Sequence, residues 1–324
     1  MTMTRFIARL LCTAALSASA VALAQGTYPV KPIRIIVGFA SGGNGDIIPR
    51  LVGQKLSEQW GQQVVIENRP GSNGNIAAEL VAKAVPDGYT LLSSDTTIFA
   101  INPHLYSKLS FDPFRDFTPL AQMILPPIYV VVNASLPIAS IRDLINYAKA
   151  NPGKLSYASA GNGSIHHLST EFFKMQTGID MVHIPYKGSG QSAPALVAGD
   201  VHVGFIGLTS VTMGIKAGRL RAIGYGSATR SSLNPDIPAI AETVPGFDVS
   251  SPFGFVGPAG VPRDIIDKVG AAVMAAVRSP DVRQKMNGLG LEPVEGTGEV
   301  YGASMRRDYE RFGKVVREIG LKID

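Results

Sequence analysis

The stretch Ile33-Arg34-Ile35-Ile36-Val37-Gly38-Phe39-Ala40-Ser41-Gly42-Gly43-Asn44-Gly45-Asp46 decides how this chain is read. Its first five residues form a nearly unbroken β-branched run, the composition of a buried strand. Glycines follow at once. Ile48, Leu51, Val52 and Leu56 then recur at helical spacing. Val64-Val65-Ile66 reads as the next strand, 76–84 as a helix, and Thr90-Leu91-Leu92 as a third strand. The order βαβαβ predicts a parallel sheet with right-handed crossovers.

The alternation resumes further on. Tyr129-Val130-Val131-Val132 opens a second set, with helices expected at 141–150, 168–177 and 193–198. Leu155-Ser156-Tyr157-Ala158, Val182-His183-Ile184, Val201-His202-Val203-Gly204-Phe205 and Ala222-Ile223-Gly224-Tyr225 read as its strands. Phe253-Gly254-Phe255-Val256 is a further short strand. Two helices follow, one from Pro262 and one carrying Tyr301, Met305, Tyr309, Phe312, Val316 and Ile319. The fold class is therefore α/β, in two lobes. The chain crosses near Leu125-Pro126-Pro127 and returns near Ser250-Ser251-Pro252. This places lobe one at 25–124 and 250–324, and lobe two at 125–249.

Composition bounds the rest. Of 324 residues, 45% are hydrophobic and 17% charged, which is ample for burial and unlike a disordered chain. No apolar run reaches the ~18–20 residues of a spanning helix. No Lys/Arg cluster is dense enough for a nucleic-acid face. Arg5 and Arg9 precede an acid-free apolar run, 10–23, that ends in Ala22-Leu23-Ala24. That is the three-part pattern of a secretory signal peptide, 1–24, with cleavage expected after Ala24. Cleavage removes the lone Cys12, and losing Arg5 and Arg9 takes the net charge from +5 to +3. An exported chain of this size without disulfides suits a bacterial periplasm. After cleavage no membrane insertion is expected.

The catalytic motifs are poor. His104, His166, His167, His183 and His202 show no i, i+4 pairing and no acidic cluster, so no metal or other cofactor is expected. No G-x-S-x-G elbow is present. Pairing of Ser164 with His167 would be the basis of an exported hydrolase. The stronger reading makes Ser164 the N-cap of the helix that follows.

The glycine loops are richer. The loop from Phe39 to Asp46 lacks the Lys and Ser/Thr of a P-loop, and Ile48 breaks G-x-G-x-x-G. It remains a strand-to-helix turn whose unpaired N–H groups and positive dipole end suit a carboxylate. Asp46 is the expected cap. Ser159-Ala160-Gly161-Asn162-Gly163-Ser164 repeats the device in lobe two. Two such loops can face each other across a cleft at the carboxyl ends of strands. Other strand ends supply Ser93-Ser94-Asp95-Thr96, Tyr186-Lys187-Gly188 and Ile206-Gly207-Leu208-Thr209. From these come the candidates Ser93, Ser159, Tyr186 and Gly207. Phe39, Tyr186 and Phe253 are aromatic candidates for contact.

An ordered series of motifs carries a resemblance. It runs from Tyr28-Pro29-x-Lys31-Pro32-Ile33-Arg34 through Gly42-Gly43-x-x-Asp46, Glu67-Asn68-Arg69-Pro70-Gly71 and Pro86-Asp87-Gly88-Tyr89. It continues through Asn102-Pro103-x-Leu105-Tyr106, Gly161-x-Gly163-Ser164-x-x-His167-Leu168 and His183-Ile184-Pro185-Tyr186-Lys187-Gly188. Pro245-Gly246-Phe247 and Pro258-Ala259-Gly260 complete it. The set resembles Bug-type (TctC-like) solute-binding proteins, the periplasmic receptors of tripartite tricarboxylate transporters.

The resemblance implies a Venus-flytrap, periplasmic-binding-protein fold and no enzymatic activity. It implies a small carboxylate ligand held mainly by backbone groups and water. Carried over, the site is Ser41, Gly42, Gly43 and Asp46 in lobe one, with Gly161, Gly163, Ser164 and His167 in lobe two. The implied partners are the transporter's membrane subunits, with a sensor kinase as the alternative, and the implied state is a monomer. Ser41 stands where the family usually has proline, which adds a hydroxyl at the mouth of the site.

Overall fold

Alternate residues of β1 (Ile33–Val37) belong to opposite faces of one sheet. Ile33, Ile35 and Val37 pack into one apolar cluster and Ile36 into another. That two-sided burial is why the strand reads as a continuous apolar run. The structure, a computed structural model, describes residues 28–39, 41, 44–126 and 128–323. The expected signal peptide, Cys12, Gly42, Gly43 and Pro127 lie outside the described residues.

Two mixed sheets form the architecture. The remaining strands are β2 (Val64–Asn68), β3 (Thr90–Ser94), β4 (Phe117–Ile124), β5 (Tyr129–Asn133) and β6 (Ser156–Ser159). They continue with β7 (Val182–Pro185), β8 (Val203–Ile206), β9 (Leu220–Tyr225), β10 (Phe253–Pro258) and β11 (Pro293–Thr297). The first sheet runs β11-β4-β10-β3-β1-β2 and the second β7-β6-β8-β5-β9. β1 pairs in parallel with β2 and β3, as the βαβαβ order predicts. β10, β4 and β11 extend that sheet antiparallel, and β5 pairs antiparallel with β8 and β9.

The helices are α1 (Asn44–Trp60), α2 (Asn75–Ala82), α3 (Asn102–Leu105), α4 (Ile141–Ala150) and α5 (Ile165–Thr177). After them come α6 (Ser189–Ala198), α7 (Thr212–Lys216), α8 (Arg263–Arg278), α9 (Pro280–Gly288) and α10 (Gly298–Ile319). α4 is capped by Ser140, whose hydroxyl accepts the Asp143 amide. The second sheet is also buried on both faces. Val130 and Val132 go to one cluster, Tyr129 and Val131 to the other.

Besides the short helices α3 and α7, three elements are new relative to the sequence reading. β4 carries Pro119 and Gln122 and has no β-branched run. Its proline is tolerated because β11 pairs only as far as Ala121, which leaves Pro119 open on that side. β11 is a short, half-exposed edge strand with Pro293 and Gly296. α9 buries only Val282 and Met286. None of the three has the apolar periodicity that sequence reading depends on.

The two sheets meet along α10. Phe312, Val315 and Val316 pack with Ile101, Leu105 and Leu168 into one cluster. These residues come from α10, from the segment after β3 and from α5. Thr96 Oγ1 donates to the buried Asp308 at 3.0 Å, and Arg311 of α10 reaches Asp248, ahead of the return crossing.

Candidate functional site

The chain turns at the carboxyl ends of the parallel strands, and a cleft opens where the ends from the two sheets face one another. Its volume is about 830 Å³. After β1, the wall is Gly38, Phe39 and Ser41, then Gly45, Ile47 and Ile48 of α1. After β2 it is Gly71, Asn73 and Gly74, and after β3 it is Asp95 and Thr97. The second sheet supplies Ala160, Ser164, Ile165 and His166 after β6, and Gly188, Ser189 and Gly190 after β7. Gly207, Thr209 and Ser210 follow β8. Pro126, Ile128, Ser251 and Phe253 flank the two crossings.

The starts of α1, α5 and α6 therefore all border the space. Each brings unpaired backbone N–H groups and the positive end of a helix dipole. The α5 start is built locally. Ser164 Oγ accepts the His167 amide at 3.3 Å, which is the N-cap role read from sequence. His167 Nδ1 in turn accepts the Gly163 amide at 3.1 Å, so the ring nitrogen serves the loop backbone. The Ser164 hydroxyl is thereby a backbone cap, and the hydrolase pairing has no support in this geometry.

Of the expected site residues, Phe39, Ser41, Ser164 and Gly207 line the cleft. The Phe39 and Phe253 rings lie 6.4 Å apart, and both face the space. Gly42 and Gly43 lie outside the described residues, and the remaining ones support the cleft from behind or lie elsewhere. Asp46 is buried in the first turn of α1, which begins two residues before it, rather than at its cap. Its carboxylate accepts from Ser41 Oγ at 3.1 Å, Arg50 Nε at 2.9 Å and Asn68 Nδ2 at 2.8 Å. It thus ties the β1 loop to β2.

Ser159 is buried, with Oγ 2.7 Å from His183 Nε2, and it accepts the Gly161 amide. His167 stacks on His183 with centroids 3.9 Å apart. Burial, then the neighbouring His183, pushes the His167 imidazole down to about 3, so it is neutral. Gly161 has φ +123°, and a Cβ there would lie 3.4 Å from the Tyr186 carbonyl oxygen of the neighbouring loop. Gly163 has φ +73°, and a Cβ there would meet Leu105 Cδ1 at 2.3 Å. It faces the α10 junction, not the cleft wall. Ser93 is fully buried inside β3. Tyr186 packs against the apolar face of the second sheet. Inward packing keeps both away from the wall.

Sequence reasoning named Asp95 and Gly188 within its strand-end stretches without singling them out, and passed over Thr97, His166, Asn73–Gly74 and Ser189–Gly190 as site residues. All sit at strand ends, and two of the stretches are glycine-rich. Following each strand-end stretch a few residues further would have found them. Among the described lining residues no Lys or Arg occurs. Burial raises the Asp95 carboxyl to about 6, against hydrogen bonds from the Thr97 amide and hydroxyl. Burial lowers the His166 imidazole to about 4. No group of three or more metal-binding side chains occurs among the described residues. None of their helices is long and apolar enough to cross a membrane.

The sequence profile described as "Tripartite tricarboxylate transporter family receptor" matches residues 48–321. The chain is 34% identical over 325 residues to protein BugT of Bordetella pertussis, covering 100% of both chains. It is similar to the structure of R. palustris Rpa4515 with adipate, at TM-score 0.82 and 36% identity, covering 91% of this chain and all of that one. It is also similar to MatC from Rhodopseudomonas palustris with bound malate, at TM-score 0.77 and 29% identity, covering 89% and 100%.

Proposed function

The chain belongs to the tripartite tricarboxylate transporter receptor family, and on that premise we propose that it is a periplasmic receptor for a small carboxylate-bearing solute. It captures the solute between its lobes and delivers it to the membrane subunits of such a transporter. In this reading lobe one is 25–124 with 250–324, and lobe two is 125–249.

The observation that carries the reading is the cleft of about 830 Å³ bordered by helix starts from both sheets. Backbone N–H groups there offer charge-assisted bonds to an anion without any basic side chain. The adipate and malate bound by the two similar structures support the same ligand chemistry. Phe39, Ser41, Ser164 and Gly207 contact the solute, together with Gly42 and Gly43 of the β1 loop. Asp46, Ser159 and His167 hold the loops in place.

A solute that touches both lobes binds the closed form better and draws the equilibrium toward it. An affinity of micromolar order corresponds to ~8 kcal/mol, within reach of a few charge-assisted bonds in a desolvated cleft. A thermal-shift screen with mono-, di- and tricarboxylic acids tests this. A dose-dependent rise in Tm with at least one acid is expected. No rise with any acid class, from a protein that melts cooperatively, contradicts it.

A further inference from the structure

The cleft is electrically two-sided. The starts of α1, α5 and α6 give it positive ends, and Asp95 is the charged side chain among its described lining residues. Ala40, Gly42, Gly43 and Pro127, which neighbour lining residues in the sequence, are uncharged. His166 is held neutral by its surroundings. Among the described lining residues no basic side chain offsets the Asp95 carboxylate. Thr97 fixes that carboxylate, its amide at 2.9 Å and its hydroxyl at 3.3 Å, and Thr97 itself lines the space.

A dicarboxylate would bring like charge against Asp95 in a cleft walled by protein, where charges interact more strongly than in bulk water. A zwitterion matches both ends at once. We propose that Asp95 makes this cleft selective for amino-carboxylates, whose carboxylate rests on the glycine-rich helix starts while their ammonium group faces Asp95. This rests on the carboxylate-receptor reading and narrows its substrate class. Two other roles for Asp95 give different outcomes. As a purely local cap of the Thr97 turn it leaves ligand preference alone. As a protonated acid sharing its proton with a ligand carboxylate it favours dicarboxylates.

Calorimetry on the purified protein at neutral pH separates these. Succinate is compared with 4-aminobutyrate and L-aspartate, and glutarate with 5-aminovalerate and L-glutamate. The proposal expects an amino-carboxylate to bind at least tenfold more tightly than the dicarboxylate of its set. It also expects Asp95→Asn to erase that preference, and Asp95→Ser, whose hydroxyl can still accept the Thr97 amide, to do the same. A dicarboxylate that binds the parent protein as tightly as the amino-carboxylates overturns the proposal without needing any variant. So does a preference that survives in a folded Asp95→Asn or Asp95→Ser protein. Binding of none of the six probes by a cooperatively melting protein counts against the receptor reading itself, and this proposal falls with it.

Discussion

Gly163 and Gly207 both follow strands of the second sheet, yet a side chain added at each would meet different surroundings. At Gly163, φ is +73° and a Cβ would press on Leu105 at 2.3 Å. Left-handed backbone disfavours any L side chain by roughly 1 kcal/mol, and the contact adds to it. Gly163→Ala is therefore expected to lower the unfolding free energy by at least ~1 kcal/mol in urea titration. At Gly207, which lines the cleft, nothing lies within 4 Å of a Cβ and φ is −65°. A side chain there enters the cleft at no cost to the fold. Ser164→Ala removes the cap of α5 and is expected to cost ~1 kcal/mol, read in the same titration. Ser164 was legible from sequence because capping depends on a residue and its immediate successors. The orientation of Gly163 was not, because Leu105 approaches it from another part of the chain.

At the scale of elements, α10 carries the charge cluster that ties the two sheets. Asp308 is fully buried on it, beside Arg307 and Arg311, with Thr96 donating to it and Asp248 nearby. Burial raises its carboxyl from the usual 3.8 to about 6. Between about pH 4 and 6 the native state then holds a proton that the unfolded chain has released, so stability falls as pH rises through that window. Asp95 acts in the same direction. His166 and His167, held neutral in the fold, act in the opposite direction over the same window, so the Asp308 contribution is read as a difference between two proteins. The Tm of Asp308→Asn relative to the parent is expected to rise from about pH 4.5 to 7, and a difference that does not change with pH contradicts the assignment. The elements legible in sequence were those with strong periodicity. β1 and α4 owe this to burial on two faces or one, and α10 to its apolar stripe. β4 escaped because its place is secured by neighbours far along the chain, β10 and β11, rather than by its own composition.

For the whole molecule, the account rests on a cleft whose walls come from both sheets. Its existence was legible, since glycine-rich turns at strand ends recur in both halves of the chain. Its full wall was not, since Asp95, His166 and Gly188–Gly190 become neighbours only when the two sheets face each other. A ligand bound there stabilises the native state by mass action, ~2.7 kcal/mol at a hundred times its Kd. Closure should also shrink the radius of gyration in small-angle scattering when ligand is added. The most direct test fills the cleft from within. Gly207→Trp and the parent protein are titrated calorimetrically with the carboxylic acid that gives the largest thermal shift. The account predicts one-to-one binding by the parent, no measurable binding by Gly207→Trp, and the same ligand-free Tm for both. Parent-like affinity in the folded Gly207→Trp protein would contradict it.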